Sequence, residues 1–571
     1  MEKIRKYYAP ILICLITLFG LELRVAISNC PMWYDEGHSI LVAIQQFPFG
    51  IDNFLLTKDF QHTPFYFYFL HFWLKIFGTS EILLRFSSVI FGVATIPLTY
   101  IVSKKLYRND KVAAVIAAIL VAVSPLMIYY SIEVRMYIMV TFLALLSMNY
   151  LLDFDEKGDK KSLVKLLVTN TLIPYLLIGG IVFNIGQVIS YSLYLFLTQK
   201  DNTEKIKNYI TYRIYQLILL VPYFAIAIYY AYQRSKFIMF HIPNFQFINF
   251  VGNVQNFFGT KVGMLFWTQY LPIMIDFLYF ISVVIPVIYF ICALIRAFKE
   301  KDAKLYMAFS TIIIAYLIIL VSCMLRVIVL VPRYIIFVVP ILMILSAVGL
   351  SKLKKWHVAI FLIAFSAFSS FYLFKDPAYV ITKTNAIIDA NNYFQSRGLD
   401  NRDIVFRPFA SSVSFIYQSP TSPRCPSFEL MHEFRKPYNK LVYDDYQIQA
   451  MEQGHIDDLW LSILQSDNYT SKRYYEFMKK NYLDQVQAGR YIVMVIYGPD
   501  NQALGEKSQY RQQFTTPEAI HNDRILACLF KTFDDAKNIF LEECDLVETV
   551  SMNDNTYFLF NKSKLIFGKL S

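Results

Sequence analysis

Residues 80–107 read SEILLRFSSVIFGVATIPLTYIVSKKLY, and this one stretch shows how the chain is organised. Positions 83–103 form an apolar run long enough to cross a bilayer as a helix. Lysines and arginines follow at once, between positions 104 and 111. An apolar run that ends in a basic cluster is typical of a membrane helix whose basic end lies in the cytoplasm.

The composition of the whole chain agrees with this interpretation. Of 571 residues, 56% are hydrophobic and only 17% are charged, whereas soluble proteins carry about 25% charged residues. The net charge of +11 resides in short clusters between apolar runs, a distribution that orients a membrane protein and does not build a nucleic-acid groove. We therefore predict a polytopic α-helical protein of the cell membrane, in contact with membrane lipid and with no nucleic acid partner.

The topology follows from six basic clusters. Placing all of them in the cytoplasm predicts about eleven spans, with the N-terminus cytoplasmic and the C-terminal region outside. The clusters are Lys3-Arg5-Lys6, Lys104-Lys105-Arg108-Lys111, Lys157-Lys160-Lys161, Lys200-Lys205-Lys207, Arg296-Lys299-Lys301-Lys304 and Lys352-Lys354-Lys355. The predicted spans are 8–28, 83–103, 112–130, 137–153, 163–180, 181–198, 210–231, 269–296, 305–325, 331–350 and 356–374.

Two apolar runs each have more than one possible interpretation. Residues 63–78, TPFYFYFLHFWLKIFG, are short and aromatic and carry His71 and Lys75; as a span they would turn the later basic clusters outward. We predict instead a helix lying at the outer interface, within a first external loop at 29–82 that holds interfacial helices. The first run is predicted to be an anchor helix and not a cleaved signal peptide, since it is long and ten spans follow it.

The composition changes near residue 375. Polar residues dominate 376–571, and no run there is long enough to span a bilayer. Short apolar strands are predicted at 403–409, 490–498, 525–530 and 556–560, alternating with helical patterns at 384–398 and 532–544. We predict a membrane domain at 1–375 and an extracytoplasmic mixed α/β domain at 376–571. Cys528 and Cys544 would meet an oxidising compartment, and whether they pair is left open.

Charged residues from distant loops fall on the predicted outer face. They are Asp35, Glu36, Asp59, His62, Arg85, Glu133, Arg135, Arg326 and Arg333. Arginines that grip phosphate oxygens and a carboxylate that takes a proton are what a site for a lipid-linked phosphate needs. Each residue alone has an ordinary explanation, because Asp35 could cap a helix and an arginine near a span end could snorkel to the headgroups. Because all of them are predicted to lie on one face of the membrane, we favour a shared functional site over these separate explanations.

The same stretches, in order, resemble a known family. MWYDE at 32–36 is similar to the W-x-D-E signature of the integral-membrane GT-C glycosyltransferases of the protein O-mannosyltransferase and aminoarabinose-transferase type. Further similar segments are QHTPFYFYFLHFWLKIFG at 61–78 (H-P-P-L), the R-x-x-S-x-x-x-G span within 80–107, SPLMIYYSIEVRMYIMVTFLALLS at 124–147 (Y-S-x-E-A-R-M-Y) and VPRYIIFVVPILMILSAVGL at 331–350 (P-R-Y). The chain departs from the pattern at His62-Thr63-Pro64-Phe65, which lacks one proline.

The resemblance implies transfer of a sugar from a polyprenyl-phosphate-sugar donor to an acceptor hydroxyl, with inversion. Asp35 would be the general base and Glu36 its partner in positioning the substrate, while Arg85 would order the loop below the donor. The residues that would contact the substrates are His62, Glu133, Arg135, Tyr137, Arg333 and Tyr334. Of these, Arg135 and Arg333 would bind the donor phosphate. The acceptor is left open as a protein, a lipid or a glycan. A divalent metal is left open and no cofactor is assigned, because Asp35 and Glu36 are adjacent and not spaced as D-x-D.

Two other functional classes fit part of the sequence. A transporter or flippase of lipid-linked sugars would share the spans and the arginines, but such proteins place ionisable residues and broken helices near the midplane. The predicted spans are nearly free of charge at mid-height and show no internal repeat. A structural membrane protein with an external domain would leave the loop carboxylates unexplained. The sequence therefore favours chemistry at the membrane surface.

Overall fold

The computed structural model describes two compact units of the chain. The first comprises Met1–Asn29, Gln61–Tyr229 and Ile242–Pro377, and the second comprises Cys30–Phe60, Tyr230–His241 and Ala378–Ser571. The residues it describes are 2–28, 36, 39, 40, 43, 63–78, 80–236, 288–325, 331–374, 392–400, 402–406, 475, 478–496, 536–552 and 555–563.

The first unit is helical. Its helices are α1 (Glu2–Ile27), α2 (Phe65–Phe77), α3 (Glu81–Leu106), α4 (Lys111–Val123), α5 (Pro125–Ile132), α6 (Tyr137–Lys157), α7 (Lys160–Leu176), α8 (Ile181–Thr198), α9 (Thr203–Leu219), α10 (Val221–Lys236, whose last residues pass into the second unit), α11 (288–299), α12 (Ala303–Met324), α13 (Val339–Leu350) and α14 (Lys355–Phe374). Short 3₁₀ turns lie at Ile178–Gly180, Pro332–Tyr334 and Ile336–Val338.

The predicted multi-pass helical membrane architecture is confirmed. Within the described residues, five helices are long and apolar enough to span a bilayer: Ala9–Ile27, Ile82–Leu106, Tyr137–Lys157, Ile178–Thr198 and Ala303–Met324. Two bent pairs, α4 with α5 and α9 with α10, bring the number to seven if each pair is one span. The count of eleven stays a prediction, since much of the span predicted at 269–296 lies outside the described residues.

Three predicted spans differ in detail because of proline. The run at 112–130 is two helices bent by 54°, where the Ser124 hydroxyl caps α5 and Pro125 begins it. Pro lacks an N–H and is therefore suited to the first turn of a new helix. The run at 210–231 bends by 44° between α9 and α10. The run at 331–350 is two 3₁₀ turns followed by the short helix α13, which has Pro340 in its first turn.

The segment predicted to lie at the interface is a short helix. Helix α2 has 13 residues, so it extends about 20 Å at 1.5 Å per residue and falls short of the roughly 30 Å hydrocarbon core. It begins directly after Pro64 and buries His71 and Leu74. Its predicted orientation along the membrane surface remains an expectation.

The basic ends of several helices meet in one place. Ion pairs join Lys105 to Asp153 (2.8 Å), Lys205 to Asp155 (2.9 Å), Lys304 to Asp155 (3.2 Å) and Lys352 to Asp110 (4.0 Å). These contacts connect the last turns of α3 and α6, the first turns of α9 and α12, and the turns before α4 and after α13. Five of the six predicted cytoplasmic clusters contribute residues near these contacts, and we refer to this region as the basic end.

A polar network connects the middles of four helices. Ser147 on α6 donates to Asn170 on α7 (2.6 Å), Asn170 donates to Gln187 on α8 (2.8 Å), and Gln187 donates back to the Ser147 hydroxyl (2.8 Å). Arg213 on α9 adds a hydrogen bond to Gln187 (3.2 Å). Arg213 is the fourth residue of the span predicted at 210–231 but lies in the middle of α9, because α9 begins at Thr203.

The C-terminal part of the second unit contains a small mixed sheet, as predicted for residues 376–571. Its described strands are β1 (Ile404–Phe406), β2 (Tyr491–Ile496), β3 (Asp545–Met552) and β4 (Asn555–Asn561), in the order β1-β2-β4-β3. Only the β1–β2 pairing is parallel. Three of these strands lie where the sequence predicts them, whereas β3 was not predicted and the strand predicted at 525–530 lies outside the described residues.

Alternate residues of the sheet face two cores. Ile492 and Met494 pack with Phe540 of the helix at 536–543, and Val493 packs on the other face against Tyr393. The period of two follows from the opposite directions of successive side chains in a strand. The sheet is thereby covered on both faces.

Arginine–carboxylate ion pairs join neighbouring segments of this unit. Arg397 binds Glu548 through two hydrogen bonds, at 2.5 and 2.8 Å, and this pairing holds the pKa of Glu548 below its usual value. Asp400 accepts hydrogen bonds from Arg402, which hold its pKa well below the usual range, and Arg490 lies beside it as well.

Candidate active site

The connection between α5 and α6 buries two opposite charges. Glu133 and Arg135 are 3% and 4% exposed, although they are flanked by apolar helices. The amide of Arg135 donates to the carbonyl of Glu133 at 2.7 Å, so the chain makes a tight turn between them. Charged side chains are excluded from apolar interiors unless they are paired or used for function. This turn is therefore the natural centre of a site.

Helix α3 holds the turn through three residues on one of its faces. Arg85 Nη1 donates to the carbonyl of Ile132 at 2.8 Å, and the Ser88 hydroxyl lies 3.5 Å from the carbonyl of Arg135. Gly92 lies against Ser131, where an added Cβ would be 2.0 Å from the Ser131 hydroxyl. Positions i, i+3 and i+7 share one face of a helix. The R-x-x-S-x-x-x-G pattern therefore marks the face of α3 that packs against residues 131–135.

A residue outside the sequence motifs, Arg24, also supports residues 131–135. Arg24 on α1 is completely buried, and its Nε donates to the Ser131 hydroxyl at 3.0 Å. Its Nη1 donates to the carbonyls of Gly20 (2.8 Å) and Ala122 (3.1 Å). Ala122 is in the last turn of α4, where carbonyls have no intrahelical donor. An arginine within an otherwise apolar span is the signal that could have identified it.

A second arginine approaches from a distant part of the chain. Arg333 belongs to the 3₁₀ turn Pro332–Tyr334, and its guanidinium carbon lies 5.5 Å from the centre of the Tyr334 ring. The Tyr334 and Tyr137 rings meet edge to face at 6.4 Å, and Arg135 lies 6.0 Å from the Tyr137 ring centre. A chain of ring contacts through the two tyrosines therefore links the two arginines.

Electrostatics place these residues in one neighbourhood. The charges of Arg135, Arg333 and Glu133 all act on the hydroxyl group of Tyr137, which is buried in the first turn of α6. Two guanidinium groups therefore lie in one part of the first unit. Such a cluster suits a phosphate, because arginine can donate two parallel hydrogen bonds to it. The structure thus brings together Glu133, Arg135, Tyr137, Arg333 and Tyr334, with Arg85 holding the backbone.

The remaining predicted residues are distributed differently. Asp35 and His62 lie outside the described residues, as does Arg326. Glu36 belongs to the second unit and is 1% exposed. Thr63, next to His62, is buried and donates a hydrogen bond to the carbonyl of Tyr175 at the end of α7.

Metal ligands do not cluster in the part of the chain that is described. No group of three or more His, Cys, Asp or Glu side chains there could hold a metal ion. The divalent metal that the sequence leaves open would need Asp35, which lies outside the described residues.

A known protein family matches the part of the chain that holds the α5–α6 turn. Residues 61–229 match the family described as dolichyl-phosphate-mannose-protein mannosyltransferase, a range that includes Arg85, Glu133, Arg135 and Tyr137. No curated protein matches the sequence. Crystal structures of ArnT from Cupriavidus metallidurans align at a TM-score of 0.45. The form bound to undecaprenyl phosphate is 11% identical, with 97% of this chain and 98% of that chain covered. The apo form is 12% identical, with 96% and 97% covered. The match therefore confirms the resemblance to membrane glycosyltransferases that the motifs indicate. Residues 61–229 carry the sequence pattern of the dolichyl-phosphate-mannose-protein mannosyltransferase family.

Proposed function

We propose that the protein is a membrane glycosyltransferase that transfers a sugar from a polyprenyl-phosphate-linked donor to an acceptor hydroxyl. The observation that carries the proposal is that Arg135 and Arg333, nearly 200 positions apart, each lie within about 6 Å of a ring of the edge-to-face pair Tyr137 and Tyr334. Two arginines that come together beside two tyrosines would bind the phosphate of a lipid-linked donor. The family match over 61–229 supports the same reaction class.

The proposed chemistry is a single displacement. Asp35 accepts the proton of the acceptor hydroxyl, whose oxygen then attacks the anomeric carbon of the sugar. The bond from that carbon to the phosphate oxygen breaks, and its electron pair leaves with the polyprenyl phosphate. Arg135 and Arg333 stabilise the charge that develops on the leaving phosphate. One displacement inverts the anomeric centre, since retention by a covalent intermediate would need a second one.

Other residues position the reactants in this proposal. The resemblance to the family motifs implies that Glu36 helps to position the substrate and that His62 lies near the donor phosphate. Tyr137 and Tyr334 orient the two arginines, and Glu133 fixes the turn that carries Arg135. Arg85 acts on the backbone of that turn and not on the substrate.

The proposed setting is the outer face of the cell membrane. The N-terminus and the basic end lie in the cytoplasm under the positive-inside rule. Residues 1–375 form the catalytic membrane domain and 376–571 an extracytoplasmic domain. A protein, lipid or glycan on that side supplies the acceptor hydroxyl.

Sugar transfer by the purified protein in detergent tests the proposal. We expect a polyprenyl-phosphate-sugar donor to release polyprenyl phosphate together with a glycosylated acceptor, and we expect the product anomer to be inverted. A flippase would need a sealed membrane and would leave the donor intact. Comparison of lipid-linked sugars in membranes with and without the protein identifies the donor, because the donor accumulates when its transferase is absent.

A further inference from the structure

A cavity of about 630 Å³ opens at the basic end of the first unit. Its volume lies within the roughly 300–1,000 Å³ of small-molecule sites. Its lining combines Tyr100 and Ile101, of which Ile101 is exposed on the outer surface of α3, with charged residues of three helix ends. In a membrane helix, the boundary between apolar and basic side chains is where lipid headgroups lie.

Two of the cations that line the cavity are already engaged. Lys105 binds Asp153 at 2.8 Å and Asn149 at 2.7 Å. Lys304 lies 3.2 Å from Asp155, which is buried among polar side chains. Both lysines therefore serve mainly to join helix ends.

The other two cations have donors to spare. Lys104 lies 5.4 Å from the centre of the Tyr100 ring, and no carboxylate of the described residues forms an ion pair with it. The Arg108 side chain is 60% exposed and lies 3.4 Å from Glu300 and 3.9 Å from Asp302. Both distances exceed the roughly 2.7–2.9 Å of a strong charge-assisted hydrogen bond. Lys104 and Arg108 can thus bind a phosphate.

The backbone keeps Arg108 at the rim of the cavity. Arg108 and Asn109 have φ values of 42° and 54°, in the left-handed region that residues other than glycine seldom occupy. Hydrogen bonds from Asn109 to the Lys104 carbonyl (3.0 Å) and from Asp110 to the Tyr107 carbonyl (2.9 Å) hold this turn. Unfavourable backbone geometry that is held in place often accompanies a function.

Two carboxylates, Asp302 and Glu156, belong to the same lining and restrict the charge of the ligand. Asp302 is engaged, since it accepts hydrogen bonds from the first amides of α12 and lies 3.9 Å from Arg108. Glu156 on α6 is exposed, and within the described part of the chain it forms no ion pair. A carboxylate on a cavity lining that also carries the two cations disfavours a ligand that is only anionic. It fits a ligand that carries an ammonium group next to its phosphate.

We propose that this cavity binds the headgroup of a zwitterionic phospholipid with a primary amine, its phosphate on Lys104 and Arg108 and its ammonium on Glu156. The site lies at the end of the unit opposite Arg135 and Arg333, and it is independent of the proposed sugar transfer. A phosphatidylethanolamine headgroup has the required groups. Phosphatidylcholine has the same phosphate, but its quaternary amine cannot donate a hydrogen bond.

Retention of lipid by the purified full-length protein tests this. After exchange with vesicles of phosphatidylethanolamine, phosphatidylcholine or phosphatidylglycerol with identical acyl chains, native mass spectrometry counts the lipids retained. We expect phosphatidylethanolamine to be retained at least about tenfold over phosphatidylcholine, as one charge-assisted hydrogen bond of about 1.5 kcal/mol would give. Equal retention of all three lipids would overturn the proposal, as would a preference for phosphatidylglycerol.

Variants separate the two halves of the site. Lys104→Ala combined with Arg108→Ala should reduce retention of both phosphatidylethanolamine and phosphatidylcholine, whereas Lys111→Ala, an exposed lysine of the same basic cluster, should change neither. Glu156→Gln keeps the size of the side chain and should abolish only the preference between the two lipids. Unchanged retention in the double variant, an unchanged preference in the glutamine variant, or displacement of the lipid by millimolar inorganic phosphate would each contradict the lipid site.

Discussion

Arg24 donates a hydrogen bond of 3.0 Å to the hydroxyl of Ser131, which lies 107 positions further along the chain. The contact joins the first helix to the segment that carries Glu133 and Arg135. The same guanidinium binds the end of α4 at the carbonyl of Ala122. One buried side chain therefore holds both sides of the α4–α5 bend, and the position of Arg135 depends on it.

Arg24→Lys is expected to weaken donor binding more than turnover. A single ammonium group cannot reach Ser131 and Ala122 in the way that the planar guanidinium does. Loss of one buried hydrogen bond of about 1.5 kcal/mol should raise the KM for the lipid-linked donor roughly tenfold. Initial rates of sugar transfer over a range of donor concentrations measure this.

Ser131→Ala should shift the KM in the same direction, and the double variant should show less than the sum of the two effects. Thr17→Ala is the matched control, because the Thr17 hydroxyl bonds only the Ile13 carbonyl within α1 in the described structure. Additive effects, or an equal effect of the control, would contradict a positioning role for Arg24.

Gly92→Ala should impair transfer by moving the turn that carries Arg135. An added Cβ would lie 2.0 Å from the hydroxyl and 2.6 Å from the Cβ of Ser131, well inside van der Waals contact. Ser131→Gly removes both atoms, so the double variant should recover part of the lost activity. Gly179→Ala, where an added Cβ meets nothing within 4 Å, should be tolerated. Steady-state activity of the four proteins, each shown to be folded by its elution profile, checks the prediction.

Much of this arrangement could be predicted from the sequence. The apolar runs and basic clusters predict the membrane helices, because hydrocarbon thickness and charge leave few alternatives. The motif residues Glu133, Arg135 and Arg333 could be assigned to one face, since helix alternation brings their loops together. The order of strands in the second unit was beyond the sequence, because pairing partners of short strands depend on contacts that are distant along the chain.

Other features could not be predicted for identifiable reasons. The contact of Arg24 with Ser131 requires the crossing of α1 with α3 and α5, which no local pattern encodes. Strand β3 has the sequence DLVETVSM, whose polar residues hide the alternation. The bends at Pro125 and after Leu219 were missed since hydropathy counts apolar residues without regard to backbone donors.

Arg135 and Arg333 should act as a pair on the donor phosphate. Replacement of either by lysine keeps the charge but loses the bidentate geometry, and should raise the donor KM roughly ten- to a hundredfold, as loss of 1.5–3 kcal/mol implies. Because both would contact one phosphate, the double variant should lose less than the sum of the single effects. Independent, fully additive effects in donor-binding titrations would assign the two arginines to different groups.

The second unit should loosen in acid. The pKa of Asp400 and that of Glu548 are lowered by their arginine partners. A carboxyl group with a lowered pKa contributes stability above its unfolded value, here 3.8 and 4.5, and this stability is lost as the pH falls through the folded value. Hydrogen exchange of residues 491–496 in the full-length protein, corrected for intrinsic rates, should therefore accelerate below about pH 4.5. In Asp400→Asn the acid-dependent part should shrink, and an unchanged pH profile would remove Asp400 from the account.

The most direct test of the central claim is the rate of sugar transfer by Asp35→Asn, measured beside its affinity for the polyprenyl-phosphate-sugar donor. Asparagine keeps the shape of the side chain but cannot accept the proton of the acceptor hydroxyl. A general base typically contributes about 10²–10⁴-fold to the rate, whereas the donor is bound by other residues. The account predicts that transfer falls by at least about a hundredfold while the donor Kd stays within roughly twofold of the wild type. Near-normal turnover of the asparagine variant would contradict it and would transfer the role of base to Glu36 or Glu133.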